Sequence, residues 1–366
     1  MRVAILGAGG TIAPAIVRDL AESDEAGELL LLDIDEGRAQ SVAQAHGGGK
    51  ARATRVDAKA EPGVEGSLTQ ALEGCDVLVN SASYRVNLDA MAACLRAGCH
   101  YLDLGGLYWM TELQLELDRQ FEREGLLGLL GMGSAPGKTN LMAGMAAREL
   151  GGNAASIQVS AAGRDLDPPD GFSVPYALQT LLDELTMQPV VLRGGRPQQV
   201  NPLAEGGVVD FGEPIGNAET IFTLHSELRT FGESFGCREA AFRLALKPEL
   251  LATLRELTTA SDDEVQRKAA EALPPSANTV SVHVVDAAAD GRAVRVRAVT
   301  EPMEKWGIGG SIVSTATPAA AAVRLLARGA ITERGVLPPE SCVDSDALFT
   351  ELEPRGCRVE VNEPVS

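Results

Sequence analysis

No stretch of this 366-residue chain approaches the ~18–20 uninterrupted apolar residues that a membrane-spanning helix requires. The opening run Met1-Arg2-Val3-Ala4-Ile5-Leu6 is too short for a secretory h-region and gives way at once to glycines. Lysine is scarce, at positions 50, 59, 138, 247, 268 and 305. With 32 basic against 51 acidic side chains, the formal charge is −19. Such a charge repels phosphate backbones and argues against a nucleic-acid partner. The six cysteines form no CxxC pair, and His100 beside Cys99 is not joined by ligands at zinc-site spacing, so no metal is expected. Cysteines of this kind read as reduced, small apolar residues, which places the protein in the cytoplasm. Internal repeats and low-complexity tracts are also lacking. A secreted mini-protein, a membrane protein and a DNA binder are the classes these absences exclude.

What is present is length enough for two domains, with a hydrophobic fraction of 45%. Short apolar strands at residues 2–6, 28–32, 51–56, 76–80, 100–104 and 126–130 alternate with helical patterns near 12–20, 36–46, 87–97 and 110–124. That alternation predicts βαβ units and a doubly wound (Rossmann) α/β domain with a parallel sheet. After Gly131-Met132-Gly133-Ser134-Ala135-Pro136-Gly137 the character changes. Candidate strands follow at 156–161, 190–193, 240–246, 280–285 and 293–299, with turn-rich pieces at 165–171 and 206–216 between them. Successive strands with few helices predict a second, α+β domain. The expected boundaries are 1–134, 135–306 and 307–366, the last comprising a helix opened by Thr317-Pro318 and an acidic surface tail.

The first strand runs into Gly7-Ala8-Gly9-Gly10, then Thr11 and Ile12, and a helix begins. Gly7 permits the tight turn, Gly9 lets backbone approach a pyrophosphate, and the helix start offers free N–H groups to it. The third glycine of GxGxxG is replaced by Ile12, with small Ala13 beside it. Asp33 closes the second strand 26 residues after Gly7, and Asp35 follows. A carboxylate there accepts hydrogen bonds from ribose hydroxyls and repels a 2′-phosphate, which predicts NAD, with NADP not excluded because Arg38 is near. Asp57-Ala58 and Asn80-Ser81 end the next two strands, where an adenine and a nicotinamide ribose are expected.

These features, together with Tyr101-Leu102-Asp103-Leu104-Gly105-Gly106 and Gly133-Ser134-Ala135-Pro136-Gly137-Lys138-Thr139-Asn140, resemble the saccharopine dehydrogenase superfamily, most closely its lysine 6-dehydrogenase branch. Weaker echoes are Leu182-Asp183-Glu184, Leu228-Arg229-Thr230 and Arg334–Glu340. The resemblance implies an NAD(P)-dependent enzyme acting on a CH–NH bond of an amino acid or amine. It also implies a second domain that carries substrate and mediates homodimerisation, and a late helix, 317–328, that packs back on the first domain. The sequence departs from relatives at Ile12, at Ala135 and at Tyr176, where related lysine dehydrogenases have Trp.

Amine oxidation by hydride transfer needs a neutral amine, a close cofactor carbon and a proton acceptor. Five residues are candidates for this work: Tyr84, Asp103, Tyr176, His225 and Arg229. The Tyr84 phenol can bond the amine or serve as a buried structural group. Asp103 can hold an ammonium or cap its loop. His225 and Arg229 share a face if their stretch is helical; His225 then serves as base and Arg229 grips a carboxylate. Lys138 begins a helix, but the upstream glycine spacing is wrong for a P-loop. Two alternatives remain on the sequence: reductive condensation of an amine with an aldehyde or oxo acid, and dinucleotide binding without turnover.

Overall fold

A computed structural model describes residues 1–64, 66–174 and 178–362 of the chain, which divides into two units. One comprises Met1–Leu141 and Thr315–Leu352; the other comprises Met142–Ser314 and the stretch from Glu353. In the first unit, β1 (Arg2–Leu6) and β2 (Glu28–Asp33) bury Val3, Ala4, Ile5, Leu29, Leu31 and Leu32 completely. Unbroken apolar runs of this kind suit a parallel strand covered on both faces. β3 (Ala51–Arg55), β4 (Val77–Asn80), β5 (His100–Asp103) and β6 (Leu127–Leu129) complete the first pass, with helices Ala13–Ala21, Glu36–His46 and Asn87–Ala97 as crossovers.

The chain then builds the second unit from β7 (Ser156–Asp165), β8 (Val190–Arg193), β9 (Arg196–Gln199), β10 (Glu205–Asp210), β11 (Asn217–Phe222), β12 (Glu239–Ala245), β13 (Thr279–Ala289) and β14 (Arg292–Thr300). It returns to the first unit for β15 (Gly335–Leu337) and ends in the second with β16 (Cys357–Asn362). The first sheet has seven strands in the order β15-β6-β5-β4-β1-β2-β3, every pair parallel. The order reverses direction at β1, between β4 and β2, which is where doubly wound sheets bind ligands. In the second, nine-stranded sheet, β7 runs parallel to β12 and antiparallel to β13. Helices Leu178–Thr186 and Pro248–Leu257 enclose a core of Leu181, Leu182, Leu185 and Leu254. The expected fold class, Rossmann plus α+β, is therefore present.

The return segment is held by charge. Arg324 is 2% exposed; its Nη1 donates to Asp19 on the first helix at 3.0 Å and its Nε to Glu351 at 2.6 Å. Arg328 joins Glu351 to Glu25. Helix Gly310–Ala327 is long and apolar enough to pass as a membrane span by composition, but Val313, Ala316 and Ala319–Val323 are fully buried, as in a core helix.

Several expectations need correction. The division falls at Leu141/Met142 rather than at residue 134, because the glycine loop stays in the first unit: the Asn140 side chain accepts from Gly137 N at 2.8 Å and donates to Glu340 at 2.8 Å. The chain returns at Thr315, inside the helix, not at 307. Pro318 lies in the interior of that helix, where it removes one backbone bond, not at its first turn. The tail does not all belong with the first domain: β16 pairs antiparallel with β14, from Thr300↔Cys357 to Arg295↔Asn362. Residues 205–210 form an edge strand rather than a turn, with Gly207 at φ +83° beside a register shift.

Candidate functional site

The carboxyl ends of β1, β2 and β4 meet at the switch point, and the glycine loop lies between them. Gly7 has φ +75°, and a Cβ there would stand 2.6 Å from Ala82 N, so only glycine lets β1 turn against the segment after β4. Gly7 N donates to Leu32 O at 2.9 Å and Gly10 N to Gly7 O at 2.9 Å, which closes the turn. Gly10 and Thr11 are exposed, and no side chain caps the helix that starts at Ala13. Where the third glycine would stand, half-buried Ile12 is the N-cap residue, followed by fully buried Ala13. The amides of residues 7–10 already have acceptors, Pro14 carries no N–H and Ala15 N donates to Ile12 O at 3.2 Å, so the backbone donors this turn can offer an anion are those of Thr11, Ile12 and Ala13.

Asp33 has a second task. Its Oδ2 accepts from Gly9 N at 2.8 Å and its Oδ1 from Asp35 N at 2.9 Å, so the carboxylate clamps the loop. Gly9 differs from expectation in its direction. An added Cβ would meet Arg38 Cβ at 2.8 Å and Asp33 Oδ2 at 3.2 Å, on the side of β2. Asp35 is the N-cap of helix Glu36–His46, accepting from Arg38 N at 3.1 Å, which accounts for it without a ligand. Asp57 similarly accepts from Lys59 N at 2.9 Å, beside half-buried Ala58, while Val56 N donates to Asp33 O at 2.8 Å. Ser81 Oγ donates to Leu6 O at 2.7 Å and ties β4 to β1.

Asn80 and Asp103 depart furthest from their expected roles. Both are 1% exposed. Asn80 Nδ2 donates to Asn87 Oδ1 at 2.9 Å and to the Tyr101 hydroxyl at 3.2 Å, and its Oδ1 accepts from Ala82 N at 3.1 Å. Asp103 accepts five bonds: Oδ2 from Tyr101, Gln114 and Asn87 at 2.9, 2.7 and 3.1 Å, Oδ1 from Gly105 N and Gly131 N at 2.9 and 2.7 Å. Burial pushes the Asp103 carboxyl up, and these bonds pull it back. A carboxylate so enclosed does not hold a substrate ammonium. Tyr84, on the 3₁₀ turn Tyr84–Val86 after β4, stays half-buried with the Arg85 guanidinium 4.8 Å from its ring centroid.

In the second unit, His225 is 7% exposed and stacks on Phe242 with centroids 3.4 Å apart. Its Nδ1 lies 3.4 Å from Glu227 Oε2. Burial disfavours the charged ring, but Glu227 and Glu184 outweigh it and raise the His225 pKa above its ordinary value. Arg229 pairs with exposed Glu233 at 3.0 Å. His225 and Arg229 do not share an α-helical face, because only Glu227–Arg229 winds, as a 3₁₀ turn that excludes residue 225. Tyr176 lies outside the described residues. Sequence reasoning missed buried Glu227 and gave no role to Asp183 and Glu184, also buried. An acidic pair inside the apolar stripe Leu181–Leu185 was the available signal. Lys138, set aside as a failed P-loop residue, is fully buried.

Residues 3–129 match the family described as the saccharopine dehydrogenase NADP binding domain. Among solved structures, apo saccharopine dehydrogenase (L-Glu forming) from Saccharomyces cerevisiae is similar at 15% identity and TM-score 0.71, each chain covered to 100%. A myo-inositol dehydrogenase from Corynebacterium glutamicum matches at 12% identity and TM-score 0.47, over 100% of this chain and 99% of that one.

Proposed function

We propose that the chain is an NAD(P)-dependent oxidoreductase of the saccharopine dehydrogenase superfamily that oxidises a CH–NH bond of an amino acid or amine, as lysine 6-dehydrogenase or saccharopine dehydrogenase does; the matched dinucleotide-binding family and the shared fold support this reading. The observation that carries this reading is the buried His225 ring, held toward its charged form by Glu227 and Glu184. Acids that favour positive charge at this ring suit a substrate that arrives as an ammonium and leaves as an iminium. NAD is the preferred cofactor in this reading, because Asp33 ends β2 where a 2′-phosphate would stand.

Nicotinamide supplies the hydride acceptor when it is bound. The glycine loop, clamped through Asp33, would hold a dinucleotide, with the Thr11, Ile12 and Ala13 amides toward its phosphates. In its neutral form His225 would accept a proton from the amine, and Glu227 beside it would hold the imidazolium that results. In the first unit, the Tyr84 phenol on the turn after β4 would orient an amine. Arg229 exchanges its exposed partner Glu233 for the carboxylate of an amino-acid substrate. The charge of −19 and the six buried cysteines support a cytoplasmic protein without nucleic-acid or membrane partners, and the family resemblance supports a homodimer.

The test is a panel of amino acids, diamines and polyamines offered with NAD and NADP, read by the absorbance of the reduced cofactor. Amine-dependent NAD reduction is expected. Reduction only in the reverse direction, with an amine plus an aldehyde or oxo acid, would replace oxidation by reductive condensation. Tight cofactor binding with no turnover on any amine would reduce the protein to a dinucleotide binder.

A further inference from the structure

The polar network under the dinucleotide crevice is complete among its own members, and each end of it grips backbone that leaves a different strand. Asp103 Oδ1 takes Gly105 N, on the segment after β5, and Gly131 N, on the segment after β6. Asp103 Oδ2 is joined through Tyr101 and Asn87 to Asn80. Asn80 Oδ1 in turn takes Ala82 N, on the segment after β4. Ala82 is the residue against which Gly7 turns, with only the space of a missing Cβ between them. One buried carboxylate thus fixes three strand exits and, through Ala82, the first glycine of the fingerprint.

We propose that Asp103 is a positioning residue for the cofactor: touching neither cofactor nor amine, it holds the exits of β4, β5 and β6 in the one arrangement that lets the Gly7 turn accept a dinucleotide. The chemistry requires an acceptor-only group. An amide at this place has one oxygen and one NH₂, and the NH₂ would face N–H or O–H donors that Asp103 now accepts. Leaving a buried donor without its partner forces the segment that carries it to move. Whichever oxygen the NH₂ replaces, one set of donors loses its acceptor outright, either the glycine amides or Tyr101, Gln114 and Asn87, and the other set is left with a neutral, weaker acceptor. This inference rests on the cofactor assignment and not on the identity of the amine, so its test reads cofactor binding alone.

The experiment uses the full chain carrying Asp103→Asn and, separately, Tyr101→Phe, which deletes one donor and keeps the carboxylate. Amide exchange in the cofactor-free protein is followed on peptides spanning residues 80–84, 104–108 and 130–134, and NADH affinity is followed by fluorescence. Asp103→Asn should speed exchange at all three peptides and raise the NADH Kd about tenfold or more, with Tyr101→Phe smaller in the same direction. For any substrate the panel yields, KM for the amine and the shape of the pH–rate profile should stay as in wild type. Native exchange and native NADH affinity in both variants would overturn the proposal. So would loss of one limb of the pH profile with exchange and affinity unchanged, since that marks a group acting in the chemistry. If Asp103→Asn does not fold, Tyr101→Phe decides by the same two readings.

Discussion

Replacing Asp33 by alanine separates two jobs that one carboxylate performs. Toward a cofactor it would bond a ribose hydroxyl and repel a 2′-phosphate; toward its own chain it accepts from Gly9 N at 2.8 Å and Asp35 N at 2.9 Å. Hydrogen bonds to a charged group contribute about 1.5–3 kcal/mol each, and losing the bond that fixes Gly9 loosens the pyrophosphate loop for any dinucleotide. Asp33→Ala should therefore weaken NADP as well as NAD, each by about 10- to 150-fold from the loop alone. NAD should lose more, because the ribose contact goes too. Isothermal titration of both cofactors against wild type and variant reads the two effects directly. If NADP binds more tightly to Asp33→Ala than to wild type, the loop-clamp argument is wrong and Asp33 is only a phosphate repeller.

Further outcomes follow from other sites. Gly9→Ala should impair cofactor binding because its Cβ meets Arg38 Cβ at 2.8 Å; Arg38→Gly should restore binding to that variant and Arg38→Ala should not, as titration will show. Arg229→Ala should raise KM for an amino-acid substrate about 10- to 150-fold and leave a diamine nearly untouched, and equal losses on both would make Arg229 structural. Arg324→Met removes the cation bonded to Asp19, whose side chain is 1% exposed, and should cost roughly 3–5 kcal/mol in urea unfolding. Ser23 and Arg328 hold the Glu25 carboxyl at about 2, below the ordinary glutamate value of 4.5. A depressed carboxyl adds stability above its unfolded pKa and loses it as pH falls through the folded one. Glu25→Gln should accordingly flatten the acid limb of stability between pH 4.5 and about 2, measured by urea midpoints.

The parallel sheet was legible because burial on both faces forces apolar runs, as in Leu29–Leu32, and because Gly7 and Asp33 fall at strand ends whatever the helices between them do. The network was not. Asp103 draws donors from residues as far away as Gly131, and no local spacing shows that Asn80, Tyr101 and Gln114 converge on it. Asn80 and Asp103 each stood where a ligand group was expected, and only the structure shows that both are buried and bonded into one network. Asp35 carries the ordinary mark of a helix cap, an acid just before a helical pattern, and its place after Asp33 concealed it. In the second unit, β16 pairs with a strand about sixty residues earlier, which the composition of an acidic tail cannot show. Gly206-Gly207 reads as a turn by composition, although a bulged edge strand tolerates the same residues. His225 was found as a residue that titrates near neutrality, but the acids that set its charge, Glu184 and Glu227, are identified only by burial.

Deuterium transfer tests the central claim most directly. An amine from the active panel, deuterated at the carbon that bears nitrogen, is incubated with the protein and NAD, and the reduced cofactor is isolated and weighed by mass spectrometry. The account predicts one deuterium in each molecule of NADH formed, with the matching imine-derived carbonyl in solution. Reduced cofactor carrying no deuterium, or none formed from any CH–NH donor, would contradict it.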